Sequence, residues 1–299
     1  MSAPTFSVRV PATSANLGPG FDCLGLAVTR YLSVVATLSD NDNFCYSGPG
    51  ALKNSPDNLT HQGFRAAFAA SGREAPPVSF TARNTIPLAR GLGSSSAALV
   101  AGAALADAFL DGALGRDGVF QLTADLEGHP DNVAPAIFGG FTVSAQLETR
   151  YLCQALPLPA HWHLLFAIPP FELLTREARA VLPTSYSRAD AIFNASRTAL
   201  WATAVALDKP DLLRTASQDR LHEPYREGLI PGLAACREAL LAQGASAAFL
   251  SGAGPTLAAI TADYALSAKL RETLQAFAGA GEVLELRSGA GYQLETVIS

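Results

Sequence analysis

Residues 87–99 read PLARGLGSSSAAL: two glycines, three serines, then an alanine-rich run that continues to Leu110. The run from Ala97 to Leu110 has the composition of a buried helix. Gly91 and Gly93 allow unusual dihedrals and close approach by a ligand. Ser94, Ser95 and Ser96 at a helix start either cap free N–H groups or turn toward an anion. A glycine turn running into a helix N-terminus is a candidate phosphate site. An ordinary capped helix after a glycine turn is the reading the loop alone leaves open.

Known phosphate loops narrow the possibilities. A Walker A loop needs Gly-Lys, which occurs nowhere in the chain. The protein-kinase signatures are absent as well, and GLGSSS lacks the third glycine of a dinucleotide fingerprint. A phosphate held here rests on backbone N–H groups and serine hydroxyls. The helix dipole adds about 0.3–1 kcal/mol, whereas each charge-assisted N–H bond contributes about 1.5–3 kcal/mol. A triphosphate also needs a divalent cation, for which a Ser hydroxyl and one carboxylate are fitting ligands.

Working outward, 299 residues suggest two domains, and 49% hydrophobic residues provide ample core. The texture changes over residues 146–160, which sets a boundary near 150, with domains 1–150 and 151–299. A net charge of −5 with no basic block argues against a nucleic-acid surface. The three lysines, Lys53, Lys209 and Lys269, all lie outside glycine-rich loops. Cys23, Cys45, Cys153 and Cys236 are widely spaced and form no CxxC pair, as expected of reduced intracellular cysteines. No apolar signal core and no membrane-length apolar run occurs, so a soluble, cytoplasmic protein without membrane partners is expected.

Phe6, Val8 and Val10 alternate as in a strand, and residues 11–22 have turn composition. Residues 24–38 predict one long strand or a hairpin, and residues 41–56 a polar excursion. Asp57 or Asn58 would cap a helix over 59–70. Further helices are expected near 119–128, 133–138, 175–182, 189–207, 211–217, 232–243 and 266–277. Strands are expected near 78–83, 141–145, 162–168, 247–250 and 257–260, with two more at the C-terminus. The pattern is α+β, with antiparallel strands as plausible as parallel ones.

Three separated stretches share one chemistry: PATSANLGPGFD at 11–22, PLARGLGSSSAA at 87–98 and SGAGPT at 251–256. In this order they resemble the three motifs of the GHMP small-molecule kinases. ANLGPGFDCLG (15–25), EGHPDNVAPAIFGG (127–140), TREARAVLP (175–183) and EPYREGLIPG (223–232) are most similar to the homoserine kinases of that superfamily. The resemblance implies an N-terminal domain like ribosomal protein S5 domain 2, a ferredoxin-like C-terminal domain, a cleft between them, and a homodimer. It implies that Pro87, Leu88, Ala89, Arg90, Gly91, Leu92, Gly93, Ser94, Ser95, Ser96 and Ala97 wrap the phosphates of ATP. Asn58 would lie near the adenine, and Ser95 (or its neighbour Ser94) and Glu127 would hold Mg²⁺. Asn16, Asp22, His129, Asn132, Arg179 and Arg226 would surround L-homoserine, with Gly252 to Gly254 closing the site. Arg176 reads as a solvated helix residue.

The substrate implied fits these residue types. An α-carboxylate suits the planar forks of Arg179 and Arg226, and an α-ammonium suits Asp22. Phosphoryl transfer needs mainly positioning and charge neutralisation. The N-terminal motif lacks the lysine of mevalonate- and galactokinase-type members. Asp131 is a possible base, but the resemblance turns Asn132 toward the substrate, so no dedicated side-chain base is expected and Asn132 orients the hydroxyl. Two alternatives stay open: a related kinase acting on another alcohol such as mevalonate or shikimate, and a non-catalytic ligand sensor on the same fold.

Overall fold

The computed structural model describes residues 4–50, 55 and 58–297. β1 (Thr5–Ala15) starts with the expected alternation, but it runs on through residues 11–15, where turn composition suggested a loop. Those five residues are buried and paired with β2, and the register shifts between Pro11 and Ala12. A bulge is where a strand tolerates proline. The turn proper begins only at Asn16.

β2 (Leu24–Leu38) is a single 15-residue strand. A short parallel strand, β3 (Asn43–Ser47), lies inside the segment read as a polar excursion. α1 (Leu59–Ala70) is capped by Asn58, whose side chain accepts from the His61 N–H. Asp57, the other cap considered, lies outside the described residues, as do Pro56 and Lys53. β4 (Val78–Asn84), α2 (Ser94–Phe109), α3 (Gly115–Glu127), α4 (Val133–Phe138), β5 (Phe141–Gln146) and β6 (Tyr151–Leu156) follow.

β2 then serves two partners: its Leu32–Leu38 half pairs with β4, and Leu24–Leu26 pair with β5. This fork opens the sheet where β1 ends, which places Thr13 and Asn16 at the cleft. β5 and β6 form a hairpin of the same sheet. The boundary expected at 150 therefore falls inside a hairpin, and the strands change sheet between Leu156 and His163.

The second sheet is built from β7 (His163–Ile168), α5 (Thr175–Ala180), α6 (Arg188–Ala206), α7 (Leu213–Ala216), α8 (Glu223–Arg226), α9 (Leu233–Ala242), β8 (Ala247–Leu250), β9 (Leu257–Thr261), α10 (Tyr264–Ala278) and β10 (Glu282–Leu286). Its antiparallel order, β10-β7-β9-β8, is that of a ferredoxin-like βαββαβ unit. β11 (Gln293–Val297) returns to pair with β1 in the first sheet.

The unbroken apolar run of β7 has a direct cause. Leu164, Phe166 and Ile168 join the large core shared with the first sheet, while Leu165 and Ala167 join a second core under α9 and α10. Alternate residues of a strand face opposite sides, so a sheet buried on both faces shows no polar alternation. Trp201 of α6 crosses the junction, stacking on Phe141 of β5 and meeting Phe249 of β8 edge-on. Full burial of such a side chain stabilises by about 1.5–3 kcal/mol. Among the described residues no helix is long and apolar enough to cross a membrane.

Candidate active site

α2 begins directly after the glycine turn, and no side chain caps it. Its N-cap is Gly93 at φ +66°, in the left-handed region that favours glycine. The serines do other work: Ser95 Oγ and Ser96 Oγ both donate to Glu127 Oε1, at 2.9 and 3.0 Å. The capped-helix alternative thus has no cap to support it.

The loop before α2 is held by its carbonyls. The Ala89 carbonyl accepts from Leu173 N–H, and the Leu92 carbonyl from Thr13 N–H. The Arg90 carbonyl accepts from Thr256 Oγ1, and the Gly91 carbonyl from Ser251 Oγ at 2.7 Å. With four successive carbonyls tied to the scaffold, the N–H groups from Gly91 to Ser96 have no protein acceptor among the described residues. A run of unsatisfied donors at the start of a 16-residue helix is what an oligophosphate needs. The glycines make this approach possible. A Cβ on Gly91 would lie 2.2 Å from the Ser251 carbonyl oxygen, and one on Gly93 would lie 1.9 Å from Thr13 Oγ1.

Two adjoining cavities meet at this turn and share Ala89, Ser94, Ser95, Leu173 and Thr175. The larger, about 410 Å³, is mostly apolar, with Phe44, Tyr46, Leu88 and Ala98 in its wall, and suits a flat base. Asn58 lines it, but its amide is spoken for: Oδ1 caps α1, and Nδ2 faces the Ser55 carbonyl and His61 Nδ1.

The smaller cavity, about 70 Å³, is polar. Asn16, Asp22, His129, Asn132, Arg179, Arg226 and Gly252 line it, so residues from both ends of the chain converge. Asn16 and Asp22 sit at positive φ in the turn after β1, where Asn16 Oδ1 accepts from the Asp22 N–H. Asp22 and Arg179 form a two-point ion pair, at 2.6 and 3.1 Å. The surface pairing of Arg179 with Glu172 or Glu177 does not occur, and Arg176 is exposed. Asn132 Oδ1 accepts from Thr13 Oγ1 at 2.8 Å, which fixes the amide beside Gly93.

Charge is concentrated here. Burial pulls His129 down, but its 2.6 Å contact with Asp131 and the charges of Asp131, Glu127 and Asp22 outweigh it, and its pKa is raised. Burial lowers Arg179 likewise, and Asp22, with the charges of Asp131 and Glu127, more than reverses the effect, so its pKa is raised. Arg226 is held down to about 10, by burial first and by Arg179 second.

Four expected phosphate-site or closing residues stand apart. Pro87 faces a separate open groove. Ser96 and Ala97 are fully buried, the first against Glu127 and the second bonded to the Gly93 carbonyl. Gly254 lines neither cavity; a Cβ there would point into the second core, 2.7 Å from Ile230 Cδ1 and 3.0 Å from Leu250 Cδ1. Phe21, Leu173 and Thr175 were missed, although Phe21 and Thr175 belong to the GPGFD and TREARA stretches. Apolar and hydroxyl residues carry no chemical signature of their own.

For a divalent cation, Ser95 Oγ and the Glu127 carboxylate are hard oxygen donors at hydrogen-bond distance, beside the free N–H run. That set fits Mg²⁺, which takes one or two carboxylate or hydroxyl ligands and leaves the rest to phosphate and water. Asp22, His129 and Asp131 also approach within 4.8 Å of one another. Their atoms are committed to Arg179 and to each other, so they form a charge network instead.

A forked mixed sheet, a ferredoxin-like partner, and an uncapped glycine-serine helix start facing an ion-paired polar cavity define a GHMP-type small-molecule kinase. Residues 58–140 match the family model for GHMP kinases N terminal domain, and residues 204–280 that for GHMP kinases C terminal. The chain is 50% identical over 284 residues to a homoserine kinase of Thermus thermophilus, covering 95% of this chain and 96% of that one. It is 45% identical to a homoserine kinase of Moorella thermoacetica, covering 84% and 86%. The crystal structure of homoserine kinase from Cytophaga hutchinsonii superposes with a TM-score of 0.86 over 97% of both chains, at 26% identity. The chain belongs to the homoserine kinase family.

Proposed function

We propose that the protein transfers the γ-phosphoryl group of ATP to the side-chain hydroxyl of L-homoserine, giving O-phospho-L-homoserine and ADP, a step that feeds threonine synthesis in the cytoplasm. The observation that carries this reading is the juxtaposition of the free N–H run at residues 91–96 with the Asp22–Arg179 pair and Arg226 in one cleft. A zwitterion suits that pair: its ammonium replaces Arg179 at Asp22, and its carboxylate replaces Asp22 at Arg179. Mevalonate and shikimate carry a carboxylate but no ammonium, so one that took Arg179 would leave solvent as the only partner of the half-buried Asp22 carboxylate.

The residues divide the work. The loop N–H groups bind the β- and γ-phosphates, and the apolar cavity takes the adenine. Ser95 and Glu127 would hold Mg²⁺, and the ion would supply charge neutralisation for the phosphoryl oxygens. Asn132, fixed by Thr13, orients the acceptor hydroxyl toward the phosphate. Asp131 Oδ1 is engaged by His129, and this reading assigns no dedicated side-chain base. The proton leaves to water or to the phosphate, in keeping with a loose transition state that asks mainly for positioning. An acceptor screen with coupled ADP detection tests the reading. Turnover with L-homoserine is expected; turnover with mevalonate or shikimate instead, or no turnover at all, overturns it. A homodimer accords with the resemblance to the family, and a sedimentation run measures it.

A further inference from the structure

We propose that His222 is a positioning residue for the acceptor: as the neutral Nε2–H tautomer it fixes the Arg226 guanidinium so that Nη2 meets the substrate carboxylate. The inference rests on the homoserine reading.

His222 is fully buried, and Arg226 is 1% exposed. His222 Nε2 lies 2.7 Å from the carbonyl oxygen of Gly18, which can only accept. Its Nδ1 lies 3.0 Å from Arg226 Nη1, which can only donate. The two contacts together admit one form of the ring, with hydrogen on Nε2 and a bare Nδ1. An imidazolium would set a donor against Nη1. Asp219 Oδ2 stands 3.7 Å from Nε2, but the Asp219 carboxylate is already used by the N–H groups of Leu221, His222 and Glu223 and by Asn194 Nδ2. Burial, aided by Arg226 and opposed by Asp219, holds the His222 pKa down to about 4.

The guanidinium is held by three acceptors. Nε donates to the Ala178 carbonyl, and Nη1 to the Gly252 carbonyl and to His222. Nη2 has no hydrogen bond among the described residues, and Arg226 lines the polar cavity. A guanidinium is planar, so anchoring Nη1 at two points sets the plane and the direction of Nη2. The Phe21 ring adds a wall: it stacks on His222 and lies 5.1 and 5.5 Å from the guanidinium carbons of Arg179 and Arg226. His222 thus couples the turn after β1 to the arginine of α8, and removing Nδ1 leaves a buried Nη1 hydrogen unpaired.

Two isosteres separate the ring's contacts. In His222→Gln the amide nitrogen reaches the place of Nε2 and keeps the Gly18 bond, but nothing accepts from Arg226. In His222→Asn the Oδ1 takes the place of Nδ1. Both are assayed with L-homoserine and with 3-amino-1-propanol, the same acceptor without its carboxylate. His222→Gln is expected to lower kcat/KM for L-homoserine about tenfold or more through KM, the scale of one unpaired buried donor. Its KM for ATP and its kcat/KM for 3-amino-1-propanol are expected within about twofold of wild type, and His222→Asn is expected to recover most of the loss. Equal losses on both acceptors, or none on L-homoserine, overturn the proposal. Should the variants misfold by circular dichroism, ¹⁵N NMR of the wild-type histidines decides: a neutral Nε2–H ring from about pH 5.5 to 8 supports it, and an imidazolium or Nδ1–H ring overturns it. A wild type that turns over other alcohols but not L-homoserine overturns the reading beneath it, and this inference with it.

Discussion

The phosphate side of the cleft is one contiguous stretch, residues 88–95, which offers main-chain N–H groups from Gly91 on; the acceptor side gathers side chains from residues 16–22, 129–132, 179 and 226. On the first side, specificity comes from backbone shape, and the side chains that matter are those that leave room. On the second it comes from charge placed by both sheets, and every group there is held by another: Asp22 by Arg179, Asn132 by Thr13, Arg226 by His222. A backbone site fails when it is filled. A charge site fails when a partner is lost or displaced.

The junction of the two sides is where the largest effect is expected. Glu127→Gln removes the carboxylate beside Ser95 and should lower kcat roughly 10²–10³-fold, the scale for loss of one group that stabilises developing charge. The Mg²⁺ concentration giving half-maximal rate should rise with it. A wild-type metal response in a titration of activity against Mg²⁺ removes Glu127 from the cation site.

Next comes the backbone side. Gly93→Ala places a Cβ 1.9 Å from Thr13 Oγ1 at a φ that disfavours any side chain. Overpacking of this kind costs about 1–3 kcal/mol, and here it also moves the N–H groups. A loss of about 10²-fold in kcat/KM for ATP is expected, with a lower Tm. A neutral substitution would show that the loop adapts and is not preformed.

On the acceptor side the effect is smaller and confined to one substrate. Arg226→Lys keeps the charge but loses the fork, and cannot satisfy the Ala178 carbonyl, the Gly252 carbonyl and a ligand together. The KM for L-homoserine should rise about tenfold or more while that for ATP stays put. A parallel rise in both would erase the division between the two sides.

The smallest effect concerns the charge network alone. His129 has its pKa raised above the unfolded value of 6.5, so the His129–Asp131 contact stabilises the fold fully below that pH and loses its effect as pH rises through the folded pKa. The Tm gap between wild type and His129→Gln should therefore be wider near pH 6 than near pH 9. A gap that does not narrow shows that the ring acts only by packing.

How much was legible in the chain follows the same division. The helix over 59–70 was readable because its Asn58 cap and apolar pattern agree locally, and the short helix over 133–138 because Gly139 and Gly140 close it; residues 24–38, open to one long strand or a hairpin, form one strand. Residues 11–15 were misread because pairing with β2 overrides their turn composition. β3 was missed because its five residues lie inside a polar, Gly- and Pro-containing segment, and a strand that short is fixed by its pairing with β4. The phosphate loop could be read because its chemistry lies in one unbroken run, residues 88–95. The convergence of Asp22 with Arg179 rested on resemblance, since no local pattern links positions 157 apart. Thr13, Phe21, Thr175 and His222 stayed hidden because they act through neighbours that only folding supplies.

By itself the sequence determined the α+β pattern, the glycine turn that admits a phosphate, and the family through its ordered motifs. Each is a property of short segments, where dihedral freedom, capping and periodicity act among near neighbours. Only the tertiary structure decided that the sheet change falls after β6, that the helix start at Ser94 is uncapped, and that Ser96, Ala97 and Gly254 pack away from the cavities. It also decided that Asp22 and Arg179 pair in the free protein and that His222 holds Arg226. These depend on which donor meets which acceptor across the fork of β2 and the second sheet, and hydrogen bonds and ion pairs of that kind are set by position in space.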